Sequence, residues 1–384
     1  MRVALVHDWL TGMRGGEKVL ERLCLLFPDA PVYTLLWNRG SVSGTIESHR
    51  IRTSFLQHLP DAGRRYRWFL PLFPRAIESL RLDPADVVIS TSHAAAKSVI
   101  PPAGAFHLSY LHTPMRYIWE LEHEYFPPGR FPWPLSWYVR ATCARLRRWD
   151  VATADRAHAM LANSAHVASR IARHYGRNAE VVHPPVDLER FTPREGPREY
   201  YLLAGAMAPY KNGELAVAAC ERLGRRLIVV GTGPEERKLR ALAGGQVEFR
   251  GWVSDPEMAE LYSGARGLLF PGEEDFGIIP VEAMASGCPV VALARGGALE
   301  TVGRGAPAEA LNRVAQGGVG IVPGGALFGE PSVESLIAAI RLIEERPPAP
   351  DTLRAVAEPF AAERFDAEFL SAFDRALAAW RARR

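Results

Sequence analysis

Cysteine and lysine are scarce in this chain of 384 residues, and no long apolar run occurs in it. The four cysteines, Cys24, Cys143, Cys220 and Cys288, lie far apart and form no CxxC pair or zinc-type cluster with histidine. This spacing favours free thiols in a reducing compartment. No segment approaches the ~18 apolar residues that cross a membrane, and the apolar run within residues 1–8 is too short for a signal peptide. We therefore expect a cytoplasmic protein.

Two signatures of cofactor and metal chemistry are also missing. In Gly231-Thr232-Gly233 the third glycine of a dinucleotide fingerprint is absent, because Glu236 stands in its place. An NAD-dependent dehydrogenase is thus poorly supported. No Asp-x-Asp pair occurs, whereas a metal-held sugar diphosphate needs a close cluster of oxygen ligands. We expect neither a metal nor a bound cofactor.

Charge is distributed unevenly along the chain. Residues 1–190 contain 24 Lys and Arg against 17 Asp and Glu, the remainder contains 22 against 26, and all eleven histidines lie in the first half. Such asymmetry favours an anionic partner for the N-terminal half, with a phospholipid surface, a pyrophosphate and a nucleic acid as alternatives. A basic excess spread over solvated helices explains the same numbers.

Short apolar runs alternate with amphipathic segments in two series, which predicts parallel βαβ units and two doubly wound α/β domains. A polar segment with four prolines, 183–197, separates the series and reads as a linker. The predicted strands are 3–6, 86–90, 107–111, 159–162, 201–204, 226–230, 247–249, 267–270 and 290–292. The predicted helices are 17–26, 141–153, 167–175, 213–223, 235–243, 256–263 and 279–285.

The segment 273–291 carries the strongest chemical signal. Glu274 follows a predicted strand, and Glu282 lies seven intervening residues later, near the start of the next helix. Between them, the amides of Gly277, Ile278 and Ile279 belong to a helix N-terminus, which offers unpaired N–H groups and a positive dipole to a phosphate. The flanking carboxylates can accept hydrogen bonds from sugar hydroxyls.

This segment resembles the E-x7-E element of retaining glycosyltransferases of family 4, which have the GT-B fold. The resemblance implies two Rossmann-like doubly wound domains facing a central cleft. It assigns residues 1–190 to acceptor binding, 198–364 to donor-nucleotide binding, and 365–384 to a C-terminal helix that packs back on the first domain. Further segments similar to family motifs are 7–18, 112–117, 163–164, 185–191, 210–211, 231–234 and 251–253.

The resemblance also implies roles for donor-site residues. Glu282 would bind the ribose diol, and Glu274 would contact the transferred hexose and stabilise the reacting centre. Phe276, Gly277 and Ile278 would line the hexose and phosphate site through backbone amides. Lys211 would hold the diphosphate, a role that chemistry supports independently, because a cation stabilises the charge that a leaving diphosphate gains.

Positions in the first half complete the expected site. Gly15 and Gly16 would let the backbone approach the donor closely, although a plain strand-to-helix turn also explains them. His112 resembles the family's histidine near the hexose. His7 and Asp8 lie at the carboxyl end of a predicted strand, where they either orient the acceptor or merely cap a loop.

One residue departs from the family pattern. Ala206 stands five residues before Lys211, where the family usually has an arginine that faces the diphosphate. The alternatives for replacing that charge are Arg14, Arg116, Arg295 and the helix ends.

Two segments of the first half, 64–75 and 130–149, combine arginine with tryptophan and phenylalanine. This composition is typical of interfacial membrane contacts, whereas no nucleic-acid-binding motif accompanies it. Core aromatics with a solvated basic face are the alternative. Membrane contact predicts peripheral association with the inner face of the plasma membrane and a polyprenyl-diphosphate-linked acceptor.

The opening residues and the loop at His112 look closest to bacterial mannosyltransferase-like members that build surface polysaccharides. We therefore predict a retaining, metal-independent hexosyltransferase. The preferred donor is GDP-mannose, from which mannose is transferred, and the acceptor is a glycan or lipid-linked glycan. The alternatives are a nucleotide-sugar epimerase, a phosphorylase and a non-catalytic sugar-nucleotide-binding protein.

Overall fold

A computed structural model of the protein describes residues 1–127, 129, 131–194 and 196–383. The chain divides into two compact units, one formed by residues 1–185 with those from Phe365 onward, the other by residues 186–364. Each unit contains one seven-stranded sheet. Across the described residues, we find no helix with the length and apolar character that a membrane crossing requires.

The first unit contains a wholly parallel sheet. Its strands are β1 (Val3–His7), β2 (Val32–Thr34), β3 (Ile51–Thr53), β4 (Val87–Ser92), β5 (Phe106–Leu111), β6 (Ala159–Ala162) and β7 (Glu180–Val181). Its helices before the linker are α1 (Gly15–Leu26), α2 (Gly44–Glu47), α3 (Ala62–Arg65), α4 (Phe73–Glu78), α5 (Glu122–Tyr125), α6 (Trp133–Ala152) and α7 (Ala165–Tyr175). The strands lie in the order β3-β2-β1-β4-β5-β6-β7. All of them are parallel, but successive strands of the chain are added on one side of β1 up to β3 and on the other side from β4 onward. In doubly wound sheets, ligands bind beyond the carboxyl ends of the strands at that point.

The second unit repeats this plan with one antiparallel edge. Its strands are β8 (Tyr200–Ala204), β9 (Leu227–Val230), β10 (Val247–Gly251), β11 (Ala265–Phe270), β12 (Val290–Leu293), β13 (Val319–Val322) and β14 (Gly325–Phe328). Its helices are α8 (Gly213–Leu223), α9 (Glu236–Leu242), α10 (Asp255–Gly264), α11 (Ile278–Ala285), α12 (Ala308–Ala315), α13 (Val333–Glu345) and α14 (Pro350–Ala357). The order is β10-β9-β8-β11-β12-β14-β13, with the reversal between β8 and β11 and an antiparallel β13–β14 pair. The prediction of two doubly wound α/β domains is confirmed.

The last helix, α15 (Ala362–Ala382), contributes to the core of the first unit. Phe365, Phe369 and Phe373 are buried in one cluster with Leu5 of β1 and Leu108 of β5. The periodic spacing of these aromatic residues places them on one face of the helix. The chain therefore returns to its first sheet after completing the second unit.

Local signals explain where several helices begin and end. The Ser164 hydroxyl accepts a hydrogen bond from the Val167 amide at 3.0 Å at the start of α7, and Gly176 ends that helix with φ of 63°. The Ser332 hydroxyl accepts in the same way from the Ser335 amide at 3.1 Å, at the start of α13.

Several elements differ from the sequence-based prediction. Helix α6 begins at Trp133 rather than at residue 141, since prolines are compatible with a first helical turn. Strands β2, β3 and β7 were not predicted, because strands of two or three residues show too little periodicity. The pair β13–β14 was also not predicted, and strand β4 extends to Ser92.

Candidate functional site

The loops after β8 and β11 bring Lys211 and Glu274 together. These loops are neighbours at the point where the order of the second sheet reverses. The Lys211 ammonium forms an ion pair with the Glu274 carboxylate, and the two side chains are 15% and 21% exposed. Lys211 also lines a cleft together with Gly205, Ala206 and Gly272. The pair thus sits where doubly wound folds bind ligands, partly shielded from solvent.

Two glycines of this cleft, Gly205 and Gly272, pack closely against Lys211. Gly205 adopts φ of 115°, and a Cβ atom there would lie 3.3 Å from the Lys211 Nζ atom and 3.0 Å from the Ile279 Cδ1 atom. A Cβ atom on Gly272 would lie 2.7 Å from the Lys211 Cα atom. Only glycine fits at position 272 without moving the lysine backbone.

The N-terminus of α11 is the second element of the site. Gly277 precedes the helix with φ of 93°, and Ile278 is its first residue. The first amides of a helix have no partner within it, and they carry the positive end of its dipole. Phe276 is 3% exposed, and its ring packs at 5.3 Å against Phe360. Phe276 therefore offers a ligand its backbone only.

Glu282 lies deeper in the unit than Glu274. It is 7% exposed, and its Oε2 atom accepts a hydrogen bond from the Tyr262 hydroxyl at 3.2 Å. Burial, and then the neighbouring Glu282 carboxylate, raise the pKa of Tyr262 well above its usual value, so this hydroxyl remains a donor. The predicted ribose contact of Glu282 stays a prediction.

Gly15, Gly16 and His112 lie together in the first unit, at the carboxyl ends of β1 and β5. A Cβ atom on Gly16 would lie 3.5 Å from the His112 Nε2 atom and 3.5 Å from the His7 Cε1 atom. The His112 Nε2 atom is buried and has no hydrogen-bond partner within the described part of the chain. Burial, together with the charges of His93 and His7, holds the pKa of His112 well below its usual range. The imidazole is thus neutral at pH 7.

Three further residues surround this histidine and were not singled out as a group from the sequence. His7 is fully buried, with Nδ1 at 2.6 Å from the Thr91 hydroxyl and Nε2 at 3.8 Å from the Glu17 carboxylate. Burial opposes ionisation of Glu17, but His7 and His93 together lower the pKa of that carboxyl. The ring of His93 lies 6.3 Å from that of His112. His7 ends β1, Glu17 lies on α1 and His93 follows β4, and these isolated positions form no pattern in the sequence.

Asp8 caps the loop that follows β4. It is fully buried, and its two oxygens accept hydrogen bonds from the amides of residues 93, 94, 95 and 96 at 2.6–2.9 Å. A carboxylate has about four acceptor positions; besides these four amides, the His93 Nδ1 atom lies 3.3 Å from Oδ2. These bonds support the interpretation of Asp8 as a loop cap, and its contact with an acceptor stays a prediction.

Of the three arginines considered as replacements at Ala206, only Arg295 belongs to the same unit as Lys211. It follows β12 and is exposed, and the next residue, Gly296, forms a β-bridge with Glu274. In the described residues, no three His, Cys, Asp or Glu side chains are arranged to hold a metal ion.

Comparison with known proteins identifies both halves of the chain. The model of Glycosyltransferase Family 4 matches residues 14–190, and the model of Glycosyl transferases group 1 matches residues 198–345. The D-inositol 3-phosphate glycosyltransferase of Streptomyces bingchenggensis (strain BCW-1) is 34% identical over a 172-residue alignment, and the match covers 36% of this chain and 37% of that protein. The chain thus spans less than two fifths of the length of this curated relative.

Solved structures share the fold over nearly the whole chain. HepE of Anabaena, in complex with UDP, superposes with a TM-score of 0.68 at 18% identity and covers 98% of this chain and 100% of that one. WaaG, a glycosyltransferase involved in lipopolysaccharide biosynthesis, gives a TM-score of 0.59 at 19% identity, with 95% of each chain covered. The two family models and the two doubly wound sheets agree: this chain belongs to glycosyltransferase family 4 and has the GT-B fold.

Proposed function

We propose that the protein is a retaining, metal-independent glycosyltransferase that takes a hexose from a nucleoside diphosphate sugar. The observation that carries the proposal is the Lys211–Glu274 pair beside the N-terminus of α11, at the reversal point of the second sheet. A cation, a carboxylate and unpaired amides meet there, and this set matches the phosphate and hydroxyl groups of such a donor.

Lys211 and α11 would bind the diphosphate. Breaking the glycosidic bond leaves an additional negative charge on the nucleoside diphosphate, and preorganised donors in a shielded site stabilise that charge. The lysine cation and the helix end would perform the task that a divalent ion performs in metal-dependent enzymes. Lys211 pairs with Glu274 in this structure, and a bound diphosphate would replace this carboxylate as the partner of the lysine.

Glu274 would then be free to contact the hexose. Its carboxylate can accept hydrogen bonds from sugar hydroxyls and favours the positive charge that develops at the anomeric carbon. Retention would follow if the acceptor attacks on the face that the diphosphate leaves, with the departing phosphate oxygen taking the acceptor proton. This route needs no separate general base. Glu282 would bind the ribose, and the neutral imidazole of His112 would bind a sugar hydroxyl.

The donor that we propose first is GDP-mannose, and the acceptor is a glycan or a polyprenyl-diphosphate-linked glycan of a surface polysaccharide. Support for the donor is the likeness of residues 7–18 and 112–117 to mannosyltransferase-like sequences. UDP-sugars form the second donor class to test, because HepE was solved with UDP. WaaG, which acts in lipopolysaccharide biosynthesis, shares the fold and is compatible with a surface-glycan acceptor.

The test is a donor screen followed by a transfer assay. Thermal shift against GDP, UDP, ADP and dTDP sugars selects the nucleotide, and transfer to a lipid-linked glycan is then measured with labelled donor. We expect transfer with the anomeric configuration of the donor retained, as read from proton coupling constants. Isomerised donor without transfer would indicate an epimerase, phosphate-dependent cleavage would indicate a phosphorylase, and binding without turnover would indicate a non-catalytic binder.

A further inference from the structure

The longest helix of the first unit before the linker, α6, begins with two turns that are largely open to solvent. Trp133 is 82% exposed, Trp137 66% and Tyr138 50%. Single exposed hydrophobic residues are ordinary, whereas several large ones close together mark an interaction site. The deeper turns of the same helix are anchored, since Cys143 and Leu146 are buried in the core.

Helix α6 has one exposed face, here called the exposed stripe, and one buried face. At 100° per residue, Trp133, Trp137, Arg140 and Arg148 fall within one narrow sector, and all four are exposed. The buried residues of the helix fall in another sector. The exposed stripe therefore presents tryptophan at one end and arginine at the other.

A second segment, the 3₁₀ helix Tyr66–Leu72, adjoins α6 and has the same composition. Arg145 donates a hydrogen bond to the Pro71 carbonyl at 3.1 Å, which joins the two segments. Trp68 on this segment is 81% exposed and Leu72 is 38% exposed. We call residues 62–75 and 131–149 together the basic-aromatic surface. Arg130, the first residue of the basic and aromatic segment 130–149, lies outside the described residues.

The charge of this surface has one sign. Its two segments contain eight arginines and no aspartate or glutamate. Arg147 is paired with Glu122 and Arg65 lies 3.6 Å from Asp61, whereas Arg64, Arg75 and Arg148 have no acidic partner within the described chain. A partner must therefore be anionic and must also accept exposed tryptophan rings.

We propose that the basic-aromatic surface docks the protein on an anionic phospholipid bilayer, with Trp68, Trp133 and Trp137 entering the interface. Tryptophan prefers the headgroup level, where its ring is in an apolar layer and its N–H group remains hydrated. Arginines beside it gain from the negative surface potential. The inference rests on the proposed function in one respect, because a lipid-linked acceptor requires access to a bilayer.

The experiment is co-sedimentation of the full chain with vesicles of phosphatidylglycerol and phosphatidylethanolamine, or of phosphatidylcholine alone, at low salt. We expect binding to the anionic vesicles only. The variant Trp133→Ser/Trp137→Ser should lose at least tenfold in affinity. The variant Arg140→Ser/Arg148→Ser should lose about 30-fold, since each arginine near the surface contributes about fivefold. Trp252→Ser is the matched control, because Trp252 is 79% exposed in the other unit.

Failure of this proposal is distinguishable from failure of the proposed function. Thermal shift with nucleotides tests donor binding independently, and the surface variants should retain it, which also shows that they are folded. Equal vesicle binding of wild type and the tryptophan variant would overturn the inference. So would a dimer that dissociates in the tryptophan variant, or binding to RNA but not to vesicles.

Discussion

Lys211 is one of four lysines in the chain, and Lys238 is another in the same unit. Lys211 is 15% exposed and pairs with Glu274, whereas Lys238 is 53% exposed and lies 3.2 Å from Glu235 on the helical surface. Lys211→Ala should lower kcat about 10²–10³-fold, because it removes a preorganised cation from the leaving group. Lys238→Ala should leave the steady-state kinetics unchanged. A Lys211→Ala enzyme within threefold of wild type would contradict the role.

The buried side chain of His107 makes the stability of the protein depend on pH. It is fully buried, with Nε2 at 2.9 Å from the Ser90 hydroxyl and Nδ1 at 3.0 Å from the Arg156 carbonyl. Burial is the main reason that the pKa of His107 is lowered to about 4. Its neutral form is thus favoured in the folded state, and its contribution to stability is present above pH 6.5 and is lost as pH falls toward 4.

The expected size follows from this pKa. Between pH 7 and pH 5, the unfolded state takes up a proton that the folded state does not, which costs about 2 kcal/mol of unfolding free energy. Urea unfolding of wild type and His107→Gln at both pH values measures the effect. The variant should lose about 2 kcal/mol less than wild type over this interval. Equal losses would show that His107 does not titrate as described.

At the scale of elements, the loop after β11 positions Lys211 through Gly272. Gly272→Ala would place a methyl group 2.7 Å from the Lys211 Cα atom and 2.8 Å from the Tyr210 carbonyl oxygen, so the backbone must shift. We expect the Kd for the nucleoside diphosphate to rise about tenfold, equivalent to about 1.4 kcal/mol, as measured by calorimetry. Gly245→Ala is the control, since a Cβ atom there meets nothing within 4 Å. An unchanged Kd for Gly272→Ala would argue against this positioning.

The strands show which parts of the fold could be predicted from the sequence. Strands β1, β4, β8 and β11 form short buried apolar runs between helical segments, and their periodicity is sufficient to predict them. Edge strand β3 has three half-buried residues, and its place depends on pairing with β2. Pairing between distant segments leaves no local signature.

Strand order also explains why part of the site could be predicted from the sequence. Lys211 and Glu274 both follow predicted strands, and the reversed strand order of doubly wound sheets makes those loops neighbours. The cluster of His7, Glu17 and His93 joins three separate segments of the chain. The parallel register of β1 with β4 brings the end of β1 beside the residues that precede His93, and α1 carries Glu17. The isolated residues form no pattern in the sequence.

For the whole molecule, α15 ties the end of the chain to its first sheet. Phe369 is fully buried and its ring stacks at 5.6 Å on Phe365, whereas Leu370 on the same helix is 37% exposed. Phe369→Ala should destabilise the first unit by about 3–5 kcal/mol through the cavity that it leaves. Hydrogen exchange should show reduced protection in β1 and β5. Leu370→Ala should change this protection little, and unchanged protection in Phe369→Ala would contradict the role of α15.

Binding of a diphosphate where Lys211 meets the N-terminus of α11 can be measured by calorimetric titration of a nucleoside diphosphate and, separately, of its monophosphate. The nucleoside is the one that the thermal-shift screen selects. Wild type should prefer the diphosphate at least tenfold, because the second phosphate is the group that the lysine and the helix end would bind. Lys211→Ala should lose most of that preference, whereas Lys238→Ala should keep it. Equal affinity of wild type for the two nucleotides would contradict the account.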